Sequence, residues 1–331
     1  MVKGDFMFKL LENKFIKLIK RILCCFVVSG GLRDAIREGK FDYYIQAKRL
    51  MKHEYTCKGR DVLAIIAMIR NEGPYLAEWI EYHKLIGVSR FYIFDNESTD
   101  NTRTVLDKYI KSGLVIYEYV SDNKLEKLGK KYSIGPKSHV AHWLAIEKCR
   151  KNNTKWVAII DVDEFLVPKQ DKTVIDFLKR FSKKTINQII IGWEVFGSSG
   201  HIKKPKGLVI ENYTHKGKID ETRAFKAIVK PKSIVVDKNH YHAIIGKTVD
   251  ETGKVLYKNI QSYVPPTNVC VCNHYITRSK EECINKCKKN QSIHGGRYTE
   301  KFFETYDKND VLDETMLQYV PIIKKSMKGD R

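Results

Sequence analysis

Long apolar runs, proline, patterned cysteine and acidic residues are the scarce features of this 331-residue chain, and each scarcity narrows the reading. No run reaches about 18 apolar residues, so no membrane-spanning helix is expected. Eight prolines and twenty glycines leave little material for a long linker, and a compact body with short appendages is expected. Cysteines stand at 24, 25, 57, 149, 270, 272, 283 and 287, in no disulfide-framework spacing, which favours free thiols and a reducing compartment. Cys270, Cys272, His274, Cys283 and Cys287 include zinc-ligand types, but C-x-C is not a zinc-knuckle spacing. Glycine-rich phosphate loops are missing after the first two strand-like segments, which argues against a dinucleotide dehydrogenase and a P-loop nucleotidase.

Acidic residues number 39 against 60 Lys and Arg, a formal charge of +21. A surplus of that size invites a nucleic-acid reading. Its distribution weakens that reading, because residues 1 to 60 alone hold +8 and the remainder is thinly spread. Anionic partners such as phosphates or lipid headgroups are expected, and nucleic acid is not. From Phe6 to Phe26 the apolar residues Phe8, Leu11, Phe15, Leu18, Ile22 and Phe26 share one helical arc. Lys9, Lys14, Lys17, Lys20 and Arg21 occupy the opposite arc, a pattern that suits an amphipathic helix lying on an anionic membrane surface.

From Asp61 onward, strand and helix signals alternate. Val62 to Ile69, Arg90 to Phe94, Leu114 to Tyr119 and Trp156 to Ile160 read as strands. Pro74 to Ile86, Asp100 to Lys111 and Lys137 to Lys151 read as helices, with a lysine-rich loop after Tyr119. Apolar strands alternating with helices predict an α/β fold with a mostly parallel central sheet and helices on both faces. After Pro168 and one helix over 173–181, the text turns β-rich, with strands expected at 188–196, 207–210, 223–229, 233–236 and 268–276. A helix from Ser279 to Lys289 follows, opened by a Ser279-x-x-Glu282 capping box.

Polar motifs cluster at the predicted strand ends, where open α/β sheets bind ligands. Asp161-Val162-Asp163 follows the fourth strand, and on an extended backbone residues i and i+2 project to one side. Two carboxylates so placed repel unless a divalent cation lies between them, and hard oxygen ligands point to Mn2+ or Mg2+. Those same acids with Glu164 would also serve a Mg2+-dependent nuclease, and an inactive nucleotide- or carbohydrate-binding module is a further alternative. Asp95 ends the second strand ahead of the helix-capping residues Ser98 and Asp100, placed to accept from a ribose hydroxyl or a base N–H. Arg70-Asn71-Glu72 occupies the equivalent position after the first strand.

Met68 to His83, Phe91 to Asp100, Asp161 to Pro168, Phe196 to Gly200 and Asn273 to Ser279 together resemble the glycosyltransferases of family 92 and the related family-2-like group. The resemblance covers roughly residues 61 to 289. It implies a GT-A fold, Rossmann-like with a smaller β-rich acceptor-side elaboration, and a metal held by Asp161 and Asp163. It also implies a nucleotide-sugar donor, with a UDP-sugar expected, and a glycan or glycolipid hydroxyl as acceptor. His274 matches the late-strand histidine that completes the metal or diphosphate site, and Asp95 the acid that contacts the nucleobase. Lys226 and His242 fall in motif-like places on the donor side. The implied reaction is inverting transfer, and lysine richness with little proline separately suggests a role in surface polysaccharide or lipooligosaccharide synthesis. Inversion needs a general base, for which Glu194 is the leading candidate ahead of Glu211 and Asp220. On this reading residues 1–58 are a basic extension, 59–168 the nucleotide-sugar half, 169–296 the acceptor half and 297–331 a tail. A cytoplasmic site at the inner face of the cell membrane is expected.

Overall fold

The computed structural model describes residues 35–36, 38–52, 62–182, 185–218, 224–238, 240–257, 260–294 and 300–328. The basic segment Phe6 to Phe26 and Asp220 lie outside the described residues. Helix α1 (Phe41–Leu50) precedes the body. Strand β1 (Leu63–Ile69) lies inside the sheet and shows why the sheet is buried on both sides. Leu63, Ile65, Ala67 and Ile69 enter one apolar core, while Ala64 and Ile66 enter the other. The flanking strands β2 (Arg90–Asp95) and β4 (Trp156–Ile159) repeat the alternation, with Phe91, Ile93, Trp156 and Ala158 on the first face. Tyr92, Phe94, Val157 and Ile159 take the second. Period-2 alternation of apolar residues on both faces requires a helical layer on each.

Helices α2 (Gly73–Leu85) and α3 (Thr102–Lys111) cover the first face through Leu76, Trp79, Ile80, Leu106 and Tyr109. After strand β3 (Val115–Tyr119), α4 (Asp122–Tyr132) and α5 (Lys137–Lys151) cover the second. The expected lysine-rich loop is therefore a helix. Ser121 caps it by accepting from Lys124 N at 3.2 Å, and it buries only Leu125 and Gly129, a stripe too narrow to stand out among its lysines.

Beyond β5 (Glu164–Pro168) and α6 (Val174–Lys179) come β6 (Ile186–Val195), the single-turn α7 (Val209–Asn212), β7 (His215–Lys216) and β8 (Phe225–Val229). Residues 207–210, expected as a strand, lead into α7, whose Val209 and Ile210 N–H groups are held by the buried Glu78 carboxylate at 2.8 and 3.0 Å. Then follow β9 (Ile234–Asp237), β10 (His242–Ile244), β11 (Lys247–Asp250), β12 (Val255–Leu256), β13 (Cys270–His274), α8 (Lys280–His294), α9 (Glu300–Tyr306), β14 (Val311–Leu312) and α10 (Val320–Lys328). Ser279 Oγ accepts from Glu282 N and Glu282 accepts from Ser279 N, both at 3.2 Å, so the capping box forms as expected.

The main sheet runs β12-β11-β6-β8-β4-β1-β2-β3, with β13 joined to both β5 and β6. It is mostly parallel, but β8 is antiparallel to β4 and to β6. That reversal positions the site. Val157 pairs with Val229 and Ala158 with Ile228, so continuing the register sets Lys226 opposite Ile160, beside the end of β4. The segment from 300 to 328 packs on the body: Ile323 is buried in the first core and Tyr319 meets the ring of Tyr82 at 5.1 Å.

Candidate functional site

The loops after β1 and β2 are stitched together by hydrogen bonds, most of them neutral. Asn71 adopts φ 57°, and its Oδ1 accepts from Thr99 N at 2.7 Å and Asp100 N at 3.2 Å, while its own N–H donates to Ser98 Oγ at 2.8 Å. Gly73 N donates to Asp100 Oδ2 at 3.0 Å, an approach that only glycine permits, because a Cβ there would sit 2.1 Å from Asn101 Oδ1. Asp95 is buried with both oxygens occupied, accepting from Ser98 N at 3.0 Å and Tyr117 Oη at 2.8 Å. Burial, and then the Asp95 hydrogen bond, push the Tyr117 phenol upward, so it remains a donor.

The acidic pair does not lie on extended backbone. β4 ends at Ile159, and Asp161-Val162-Asp163 forms a turn in which Glu164 N donates to Asp161 O at 3.0 Å and Asp161 N to Glu164 Oε2 at 2.8 Å. Val162 anchors the turn in the first core. The turn separates the two acids: the Asp161 side chain is 62% exposed and that of Asp163 only 5%. Each meets a lysine from a distant element. Lys226 Nζ lies 3.2 Å from Asp161 Oδ2 and 3.1 Å from Glu164 Oε2, and Lys286 Nζ lies 2.5 Å from Asp163 Oδ2.

His274 completes the group. The pairing of β13 with β5 sets it opposite Glu164, with Nε2 3.6 Å from Asp163 Oδ1 and Nδ1 3.9 Å from Glu164 Oε1. Trp193 packs edge-on against it at 4.3 Å, with His240 on the same indole at 5.5 Å. Burial works against charge on Asp163, but Lys286, His274 and Arg278 outweigh it and hold the carboxyl well below the usual range. Asp161 is lowered likewise, its desolvation overcome by Lys226. For Glu164 burial wins over Lys226 and lifts the carboxyl to about 7.

A cleft of about 780 Å³ opens beside this cluster, lined by Arg70, Glu72, Tyr75, Lys204, Arg278 and Lys286 among others. Arg278, held at φ 52°, lies 3.5 Å above the Tyr75 ring centroid, and Lys204 lies 4.2 Å from the same centroid. Arg278 Nη2 is 3.7 Å from Glu72 Oε2, too far for a hydrogen bond, and Arg278 Nε is buried without a partner. The cleft therefore brings several cationic side chains to one wall, the equipment for an anionic ligand.

Asp161, Asp163, Lys226 and His274 are thus brought together, with Arg70, Asn71 and Glu72 along the adjoining cleft. Glu194 is not. Its oxygens are held by Lys169 at 2.6 Å and Lys216 at 2.7 Å, because alternation along β6 turns Trp193 to His274 and Glu194 the other way. Lys216 in turn pairs with Asp313 at 2.5 Å, so Glu194 belongs to a buried ion-pair chain. Glu211 also stands elsewhere, paired with Lys324 at 2.6 Å on α10. His242 belongs to another cluster, 3.0 Å from Asp237, which also holds His142 at 2.9 Å.

Lys286, Arg278 and His240 join the site without having been singled out, and Glu164, named above only for the nuclease alternative, joins it as well. Arg278 stood within a quoted motif; for Lys286 a helical lysine gave no sign of reaching a turn 123 residues earlier. Cys270, Cys272, Cys283 and Cys287 are buried and form no disulfide, and among the described residues no group of three or more His, Cys, Asp or Glu has the geometry of a metal cage. The turn nevertheless carries buried donor atoms without partners. Buried Glu164 Oε1 and His274 Nδ1 have no hydrogen-bond partner, and Asp163 and His274 stand 3.6 Å apart without bonding. Carboxylates with one imidazole suit Mn2+.

A mostly parallel α/β sheet with acidic residues and a cationic cleft at its strand ends defines the class, and sequence comparison gives the family. The glycosyltransferase family 92 model matches residues 66–312, and the chain belongs to that family. It is 31% identical over 185 residues to the family 92 protein Os08g0121900 of Oryza sativa subsp. japonica, covering 54% of this chain and 29% of that protein. To the family 92 protein RCOM_0530710 of Ricinus communis it is 29% identical over 182 residues, covering 52% and 29%. The matched region thus spans under a third of each of these two relatives. Among solved structures, S. aureus TarS 1–349 in complex with UDP-GlcNAc is similar at 15% identity and TM-score 0.31, covering 51% of this chain and 45% of that one. Glucosyl-3-phosphoglycerate synthase from Mycobacterium tuberculosis, in complex with Mn2+, UDP and glucosyl-3-phosphoglycerate, is similar at 13% and 0.32, covering 64% and 76%. No helix among the described residues is long and apolar enough to cross a membrane.

Proposed function

We propose that this protein is a GT-A glycosyltransferase that moves a sugar from a nucleotide-sugar, a UDP-sugar in the first instance, to a hydroxyl of a glycan or glycolipid with inversion. The observation that carries the reading is the convergence of Asp161, Asp163, His274 and Lys226 at the end of β4, beside a cleft lined by Arg70, Arg278 and Lys286. Asp161, Asp163 and His274 would hold Mn2+ or Mg2+, which when bound supplies electrophilic stabilisation of the departing diphosphate. The chain's own residues do the rest. Lys226 and Glu164 fix the turn, so the carboxylates do not reorganise during transfer. Arg278, braced on Tyr75, brings its guanidinium charge to the cleft wall as an anion-binding group. Asp95, oriented by Tyr117 and Ser98, keeps lone pairs with which to accept from the base or ribose. The basic N-terminal residues suit an anionic membrane surface carrying the acceptor.

The test is Asp163→Asn. Mn2+-dependent UDP binding by calorimetry is expected to fall at least about a hundredfold, and UDP-sugar turnover with it, while circular dichroism stays that of the wild type. Retention of both metal-dependent binding and turnover would remove the proposal.

A further inference from the structure

Asp163 carries a counter-charge that conflicts with gripping a metal. Lys286 Nζ lies 2.5 Å from its Oδ2, on a carboxylate whose side chain is only 5% exposed. A cation arriving at Asp163 would meet that ammonium within ion-pair range, and like charges so close in a desolvated site repel strongly. Lys226 differs. Its side chain is 5% exposed and clamped between Asp161 and Glu164, so it has nowhere else to go. Lys286 has Asp163 as its carboxylate partner, remains 35% exposed and lines the cleft beside Arg278.

We propose that Lys286 is a two-position cation. In the ligand-free protein it neutralises Asp163; when a divalent ion takes Asp163, the ammonium turns into the cleft and binds the anionic diphosphate of the donor. The inference rests on the donor and metal reading above and adds to it an exchange between a protein charge and a metal charge at one oxygen. Metal and nucleotide then bind with positive coupling, since each favours the lysine position that the other requires.

Calorimetry on the full chain tests this with Mn2+ alone and with UDP at saturating Mn2+, for the wild type, Lys286→Gln and Lys286→Arg. Lys286→Gln is expected to bind Mn2+ alone about tenfold more tightly and UDP about tenfold more weakly; Lys286→Arg should keep both near wild type. Opposite shifts of the two ligands are the signature, because general damage to the site weakens both. Equal or weaker Mn2+ binding by a folded Lys286→Gln protein, with wild-type binding intact, overturns the exchange alone. Absence of both Mn2+ and UDP binding in the wild type overturns the donor reading and the exchange together. Should Lys286→Gln not fold, Lys286→Met, which keeps the side-chain stem, must show the same opposite shifts or the inference fails.

Discussion

The two rims of the cleft are built by different means. On the β1 and β2 side, Asn71, Gly73, Ser98 and Asp100 satisfy one another through short neutral and charge-assisted hydrogen bonds, and Asp95 has a protein donor on each oxygen. At the Asp161–Asp163 turn the contacts are ion pairs to lysines from remote elements, and buried Glu164 Oε1 and His274 Nδ1 go unpartnered. The first rim is satisfied at these groups without a ligand, with Glu72 Oε2 a buried atom left without a hydrogen-bond partner. The second balances its charge in a way that a bound ion could replace, and buried ionic groups left partly unsatisfied are costly unless a ligand uses them.

Substitutions can break this contrast in order of expected effect. Lys226→Met should be the most damaging to stability, by about 3 kcal/mol in urea unfolding, because it strands buried Glu164 and leaves Asp161 unbalanced. If the turn is the ligand-replaceable rim, Mn2+ should restore part of that loss; no effect of Mn2+ would erase the distinction between the rims. Asn71→Gly keeps the left-handed backbone and removes the three hydrogen bonds that Asn71 Oδ1 accepts from Thr99 N, Thr99 Oγ1 and Asp100 N, and should lose about 1–2 kcal/mol with no rescue by Mn2+.

Glu78 offers a pH reading away from both rims. Burial lifts its carboxyl to about 7, although the Ile210 and Val209 amides oppose the shift. A folded-state value above the unfolded one means that the folded chain holds the proton more tightly. Its contribution is therefore full below about 4.5 and is lost as pH rises toward 7. Urea unfolding of Glu78→Gln between pH 4.5 and 8 should show a flatter profile than wild type, by about 1–2 kcal/mol across that window. The smallest effect on turnover should come from Glu194→Gln, a change of less than about tenfold, since this carboxylate is occupied by Lys169 and Lys216; a larger fall would return it to the chemistry.

Much of the architecture was legible because β1 and β4 are apolar throughout and β2 is apolar between its two charged ends, and the helices between them repeat at 3.6. What escaped had weak local signals. The α4 helix hides two buried positions among lysines, and the single turn of α7 depends on a carboxylate more than 130 residues away. At the site, Asp161, Asp163 and His274 were readable as motif residues on strand ends. The turn that separates the two acids was not, because Val162 is buried in a core that no periodicity over three residues reveals. Glu194 misled for the complementary reason. A charged residue inside an apolar strand suggests chemistry, whereas its partners Lys169 and Lys216 come from other elements, and Lys216 ties it on to Asp313 in an ion-pair network.

The reversed β8 ties the mechanics of the sheet to the charge at its rim. Phe225 and Ala227 flank Lys226 and point to the opposite side of the strand. A slip of one residue against β4 would put an aromatic ring or a methyl where the ammonium now stands, leaving Asp161 and Glu164 to repel each other. The backbone ladder between these two strands thus acts as the setting screw of the electrostatic field at the mouth of the cleft.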